Sequence, residues 1–418
     1  MRSIGGYKQT NRGNDRLLTR VTVDAARFEH DESTMTSTIF ASLFLPLACL
    51  RYLLSRLWYT FLSVLRRQDD FAPHPDAAFE GFYCRTQLSN GGTLAVIFCW
   101  VHDARERPYL VHVSYTPATA EDAAYFPAFK HELFPDRMVL SQGTRGSLNF
   151  TVTMPGVGTM TVADDTVEYD ISCSEVNLEL KLRLTDRVSW SSTSPTSGPM
   201  GFASAFAPLL PLNWHVYSTA SSAACLLTHA GRTLEATGVA HIEKNWGVSF
   251  PQGWIWCQAF ARAEKQKSLC LAGGIALPYI EAYLVGYRSP RCHWDFRPPF
   301  TVAALGVSPF MCIKRDSGAG TFTLTVQTLT RKLVIQAEAP SSSFIGLACP
   351  LGDGHRPMYA FESFKGYTLV EAWTRRWPWQ SWYLIEKGVC GINEKGVACA
   401  AVEFGGAYSH LVEDAGRL

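Results

Sequence analysis

Between Gly238 and Phe260 the chain reads Gly-Val-Ala-His-Ile-Glu-Lys-Asn-Trp-Gly-Val-Ser-Phe-Pro-Gln-Gly-Trp-Ile-Trp-Cys-Gln-Ala-Phe. One carboxylate (Glu243), one ammonium (Lys244), one amide (Asn245) and three indoles (Trp246, Trp254, Trp256) fall within fourteen residues. A carboxyl held in apolar surroundings is desolvated, and desolvation raises its pKa. Indole faces attract a cation. Two ordinary readings compete with a site. Tryptophans near a strand commonly pack a core, and a Glu-Lys neighbour pair is commonly a solvated surface pair of little energetic weight. The argument for chemistry is the presence of charge inside an aromatic setting, where ionisable groups are rarely buried unless paired or working.

Several blocks carry a family resemblance. His241-Ile-Glu243-Lys244-Asn245-Trp246-Gly247, followed by Phe250-Pro251 and a Trp-rich strand, resembles a signature segment of the tocopherol cyclase family. Phe79-Glu80-Gly81-Phe82-Tyr83 resembles the family's opening Phe-Glu-Gly-Trp-Tyr, with Phe82 where tryptophan is usual. Leu212-Asn213-Trp214-His215 is similar to its Pro-His-Trp-Gln segment. Leu271-Ala272-Gly273-Gly274 and Ala400-Ala401-Val402-Glu403-Phe404-Gly405-Gly406 match two further glycine-rich strands in the same order. Together the blocks span roughly residues 79 to 407.

The resemblance implies an all-β protein of two tandem lipocalin-like β-barrel or sandwich domains. It also implies a substrate, a prenylated hydroquinone whose phenol oxygen adds across the nearest side-chain double bond. No redox cofactor is required, because product and substrate are isomers. Protonating an alkene needs an acid that keeps its proton at neutral pH, which an apolar pocket provides. The tertiary cation needs electron-rich faces and exclusion of water. Glu243 is the first candidate acid and Glu80, beside Tyr83, the second. Tyr83, Trp214, Trp246, Trp254 and Trp256 are candidate pocket-lining or cation-stabilising residues, and Asn245 a candidate to orient the phenol. Lys244 would depress the Glu243 pKa if the side chains met. Adjacent strand residues point to opposite faces, however, which puts Glu243 and Asn245 on one side and Lys244 and Trp246 on the other. The competing reading of Glu80 and Glu243 is a buried ion pair or backbone clasp joining the two barrels. Two other functions fit the same scaffold: a related cyclase of specialised metabolism, of Diels–Alder type, in which the acid is dispensable, and a non-catalytic lipid-binding barrel.

The elements that must position these groups read mostly as strands. A chain of 418 residues suggests two domains. Thr93 to Val101 and Pro108 to Tyr115 are strand-like apolar runs. Asn177-Leu-Glu-Leu-Lys-Leu-Arg-Leu184 alternates strictly, the period of a half-buried strand. Hairpins are expected over Gly146 to Val162, over Trp254 to Ala276 across a charged turn Glu264 to Lys267, and over Thr321 to Ala339. Glu281 to Tyr287 and two strands in Gly388 to Phe404 complete the set. Glu121 to Leu133 holds a short helix broken at Pro127. Ser189 to Pro199 is rich in turn formers. The expected organisation is a polar tail or targeting segment at 1–37, a hydrophobic membrane-associated helix at 38–67, a first barrel at 79–188, a linker at 189–200 and a second barrel at 201–410.

Composition narrows the partners. The formal net charge of +1 gives no electrostatic case for nucleic acid. The 12 cysteines are scattered without a Cys-x-x-Cys pair and read as reduced, buried, small hydrophobes. The 11 histidines form no ligand cluster by spacing, and no metal site is expected. In the 38–67 stretch Arg51 and Arg56 interrupt the apolar run, so spanning a membrane and lying in its interface are both open. The expected location is an organelle, plastid or endomembrane surface, with a hydrophobic prenylated aromatic as small-molecule partner.

Overall fold

A computed structural model describes residues 70–143, 147–261 and 267–410. Eleven strands form a first sheet: β1 (Phe79–Leu88), β2 (Thr93–Val101), β3 (Tyr109–Thr116), β4 (Phe129–Leu133), β5 (Val139–Gln142), β6 (Phe150–Met154), β7 (Gly158–Ala163), β8 (Thr166–Cys173), β9 (Leu178–Thr185), β10 (Leu212–His229) and β11 (Arg232–Gly247). Their spatial order is β4-β3-β2-β1-β11-β10-β9-β8-β7-β6-β5. Twelve strands form the second: β12 (Gly253–Ala261), β13 (Lys267–Leu277), β14 (Ile280–Arg288), β15 (His293–Phe296), β16 (Val302–Ala304), β17 (Met311–Asp316), β18 (Thr321–Gln327), β19 (Arg331–Glu338), β20 (Ile345–Leu351), β21 (Gly354–Thr374), β22 (Tyr383–Cys390) and β23 (Ala400–Gly406). The order is β15-β14-β13-β12-β23-β21-β19-β18-β17, with β16 on β14 and both β20 and β22 on β21.

Two side-chain patterns explain why the sheets curl and stack. In β8 and β9 alternate residues are buried and exposed. Leu178, Leu180, Leu182 and Leu184 enter the first core, each contributing roughly 1.5–3 kcal/mol by burial. The central strands β1, β2, β12 and β23 are buried on both faces. In β12, Ile255, Cys257 and Ala259 enter the core of the second sheet. Their neighbours Trp254 and Trp256 join Trp190, Trp214 and Ala401 in a separate apolar layer between the two sheets. The same sorting holds in β1, where Phe82 and Cys84 enter the first core and Tyr83 the layer between. Burial on both faces thus marks the strands where the two curled sheets meet; β2 is a near-continuous apolar run, while β1, β12 and β23 also carry Glu80, Arg85, Gln258 and Glu403.

The expected hairpins form as β6/β7, β12/β13 and β18/β19. The short helix α1 (Ala120–Tyr125) starts at a Thr119–Asp122 capping box, and the chain turns to strand β4 after Pro127. One boundary differs from the sequence reading. The change of sheet comes at residues 248–252, not at 189–200, because β10 and β11 pair with β9 and β1. Turn-forming residues mark a surface excursion there; strand pairing sets the boundary. The expected tail at 1–37, the helix at 38–67 and residues 264–266 of the charged turn lie outside the described residues. Among the described residues no helix is long and apolar enough to cross a membrane. None of the eleven described cysteines is in a disulfide, and all are buried except Cys312.

Candidate active site

A cavity of about 730 Å³ opens between the two sheets. Tyr83 of β1, Trp214 of β10, and Glu243 and Asn245 of β11 line it from the first sheet. Trp254 and Trp256 of β12 and Glu403 of β23 line it from the second, and Ile275 to Pro278 form an apolar part of the wall. This size and apolar character suit a medium-sized hydrophobic ligand.

Backbone register brings the acids together. Tyr83 stands opposite Glu243 across β1 and β11. On the second sheet Glu362 stands opposite Glu403 across β21 and β23, and Glu403 opposite Trp256 across β23 and β12. Alternation then turns the side chains of Tyr83, Glu243, Trp256 and Glu403 toward the layer between the sheets. The Tyr83 hydroxyl donates to Glu362 Oε1 at 2.7 Å, while Glu362 Oε2 is buried with no hydrogen-bond partner. Trp254 Nε1 donates to Glu403 Oε1.

These surroundings shift the proton affinities of the acids. Burial raises the Glu403 pKa to about 7 against the Trp254 hydrogen bond, and the nearby Glu243 carboxylate adds to the rise. Burial also lifts Glu362 well above the usual carboxylate range, with repulsion from Glu403 as the second cause. Two carboxyls facing each other in a dry layer cannot both ionise cheaply, so the pair retains protons near neutrality. Arg85, whose charge lowers the Glu362 pKa against burial, is fully buried and already engaged. Its guanidinium donates to Gln258 Oε1 and the Cys399 carbonyl and packs 5.4 Å from the Phe260 ring centre. Arg85 on β1 and its acceptors on the second sheet form a clasp between the sheets.

Glu243 has different company. Its Oε2 accepts from Trp256 Nε1 at 3.1 Å and lies 2.8 Å from His241 Nε2. His241 precedes it by two residues on the same strand face, and Cys270 Sγ from β13 lies 3.8 Å from His241 Nε2. The donor atoms of His241, Glu243 and Cys270 all lie within 4.8 Å of one another, a set of metal-ligating type. Burial raises the Cys270 thiol pKa well above its ordinary value, so this thiol holds its proton unless a cation displaces it. Sequence spacing gave no ligand cluster because Cys270 arrives from the other sheet.

Six of the eight sequence-nominated residues line the cavity: Tyr83, Trp214, Glu243, Asn245, Trp254 and Trp256. Glu80 and Trp246 do not. Alternation turns both away, toward the interior of the first sheet, together with Lys244. Glu80 accepts from the His74 backbone N–H, sits 3.1 Å from His74 Nδ1 and pairs with Lys244 Nζ at 2.8 Å. Burial pushes its pKa up, but the Lys244 charge and the His74 bonds outweigh burial and hold it below the usual value. Glu80 is therefore an ionised partner in a buried ion pair, which corrects its nomination as a proton donor. Trp246 stacks on His74 with ring centres 4.4 Å apart and covers the pair rather than a ligand. Sequence reasoning missed Glu362 and Glu403 as acids. The signal for Glu403 was its place in the glycine-rich block Ala400–Gly406. Gly405 makes room for the Trp254 ring, which an added Cβ would meet at 2.1 Å.

Among solved structures the chain resembles CghA, at 9% identity and a TM-score of 0.50, over 82% of this chain and 96% of that one. A putative AttH from Nitrosomonas europaea is similar at 12% identity over 81% and 96%, with a TM-score of 0.45. Kievitone hydratase from Nectria haematococca is similar at 9% identity over 81% and 92%, with a TM-score of 0.42. The likeness shows a shared fold, two tandem lipocalin-like barrels. No curated protein matches the sequence. The model of the tocopherol cyclase-like family matches residues 157–381, more than half of the 418-residue chain, from β7 through β11 and the Glu362 strand. The chain belongs to the tocopherol cyclase-like family.

Proposed function

We propose that the protein is an intramolecular cyclase that closes a chromanol-type ring on a prenylated aromatic by proton-initiated addition. The observation that carries this reading is a carboxyl on the wall of an apolar cavity with its pKa raised to about 7. Such a group holds a proton near neutrality and is close to the optimum for giving it up. In this reading Glu403, rather than Glu243, donates the proton to the side-chain alkene. Glu362 stands behind it as a second buried carboxyl, whose own ionisation is disfavoured by burial and by the Glu403 charge. The tertiary carbocation forms between the faces of Trp254, Trp256 and Tyr83. The phenol oxygen then bonds to the cationic carbon, oriented by Asn245, and its proton passes to Glu243, which His241 backs at 2.8 Å. Return of that proton to Glu403 restores the enzyme. One C–O bond and one C–H bond form, one O–H bond and one π bond are lost, and the atoms balance without an oxidant or reductant.

Incubation of the purified protein with a panel of prenylated hydroquinones tests the proposal. A product of unchanged mass, lost in Glu403→Gln, is the expected result. Products heavier by one water indicate hydration. Turnover that survives in Glu403→Gln indicates a cyclase acting by conformer selection, of Diels–Alder type. Tight binding without product indicates a lipid-binding barrel. The proposal extends to location: a substrate of this kind dissolves in membranes, and residues 38–67 carry the composition for interfacial attachment.

A further inference from the structure

The segment joining β21 to β22 reads Thr374-Arg-Arg-Trp-Pro-Trp-Gln-Ser-Trp-Tyr-Leu384 and contains no acid. It lies on the second sheet and takes no part in the cavity described above. Trp379 is 78% exposed, Tyr383 70% and Trp377 47%. Large aromatics are seldom left in water in such number without a partner. The rings of Trp377 and Trp379 stack 5.4 Å apart and 5° from parallel, an exposed aromatic plate two rings thick. The plate is held in place. Arg375 donates to the Leu329 carbonyl at 2.8 Å and its guanidinium lies 4.1 Å over the Trp382 ring. The Trp377 backbone N–H donates to Gln380 Oε1 at 3.2 Å. Arg376, exposed, borders the plate, and Arg331 is exposed at the start of β19, beside the turn that Arg375 grips.

We propose that this segment is a docking site for an anionic lipid bilayer. Tryptophan and tyrosine, with apolar rings and polar edges, settle at the boundary between headgroups and acyl chains. Arginines beside them are attracted by acidic headgroups, and the segment itself carries no acid. The segment is distinct in sequence from residues 38–67 and takes no part in the proposed chemistry, so it is tested apart from both.

The test uses the full chain and large unilamellar vesicles of phosphatidylcholine, with and without about one third phosphatidylserine. Binding is read by co-sedimentation, and the site by hydrogen exchange of the peptide covering 375–384. The expected results are slower exchange in that peptide with anionic vesicles and weaker partition of Trp377→Ser/Trp379→Ser by at least tenfold. Arg376→Gln is expected to weaken partition by about fivefold at low salt, with the effect shrinking as salt rises. Exchange in 375–384 that ignores the vesicles, or a double variant that binds as tightly as the wild type, overturns the proposal. Protection that instead grows with protein concentration in the absence of lipid assigns the plate to contact between copies of the chain and likewise overturns it.

Discussion

Glu403→Gln should stabilise the protein at alkaline pH while abolishing turnover. A carboxyl whose folded pKa lies above its unfolded value binds its proton more tightly in the native state. Its favourable contribution is complete below the unfolded pKa and is lost as pH rises through the folded one. For Glu403 that window runs from 4.5 to about 7. At about 1.4 kcal/mol per tenfold change in proton affinity, the interval corresponds to roughly 3 kcal/mol. Above the window the wild type must either ionise a buried acid or unfold more readily. Glutamine keeps an acceptor for Trp254 Nε1 and cannot ionise. Urea unfolding at pH 4 and pH 8 measures the effect. The two proteins should be nearly equal at pH 4, and the variant should be more stable at pH 8 by up to about 3 kcal/mol. Wild-type turnover should fall as pH rises past about 7, as the donor loses its proton. A variant that is less stable at pH 8, or a difference that does not change with pH, would refute the argument that burial keeps this acid protonated.

Three other substitutions separate the site from its supports. Tyr83→Phe removes the hydroxyl that donates to Glu362; it should cost about 1–3 kcal/mol and lower turnover on the order of tenfold, seen by steady-state assay, and unchanged turnover would take Tyr83 out of the proton-holding group. Glu80→Gln breaks the buried pair with Lys244, and denaturant midpoints should show a loss of about 3–5 kcal/mol with kcat retained in the folded fraction. Because the Glu80 pKa is lowered, its stabilising contribution is present above the unfolded value and is lost as pH falls through the folded one, so the gap between wild type and variant should narrow in acid. Gly405→Ala places a Cβ 2.1 Å from Trp254 Cε2; the ring must move, and both tryptophan fluorescence and turnover should change even though the substitution adds one methyl group.

Periodicity in the sequence foretold a good deal. The strict alternation in Leu178–Leu184 gave a half-exposed strand, and the apolar run Thr93–Val101 gave a strand with the same bounds, buried at every position but Ile97. Adjacent strand residues face opposite ways wherever the strand ends up, so Glu243 and Lys244 were separable before any coordinates. That rule applied equally to Glu80 and Trp246, but it left open which face would meet the cavity and which the inside of a sheet. The sheet boundary was misplaced for a related reason: turn-forming residues are local, whereas membership in a sheet depends on which distant strand supplies the partner.

The chain by itself determined the strands, their two faces and the acids available to them. Only the tertiary structure decided which acids do what. Glu362 and Glu403 are forty-one positions apart and meet because β21 pairs with β23, while Glu80 meets Lys244 because β1 pairs with β11. A carboxyl group is chemically the same in all three places. Its proton affinity is set by solvent access and by the nearest charge, and both arise from contacts that sequence neighbours do not specify.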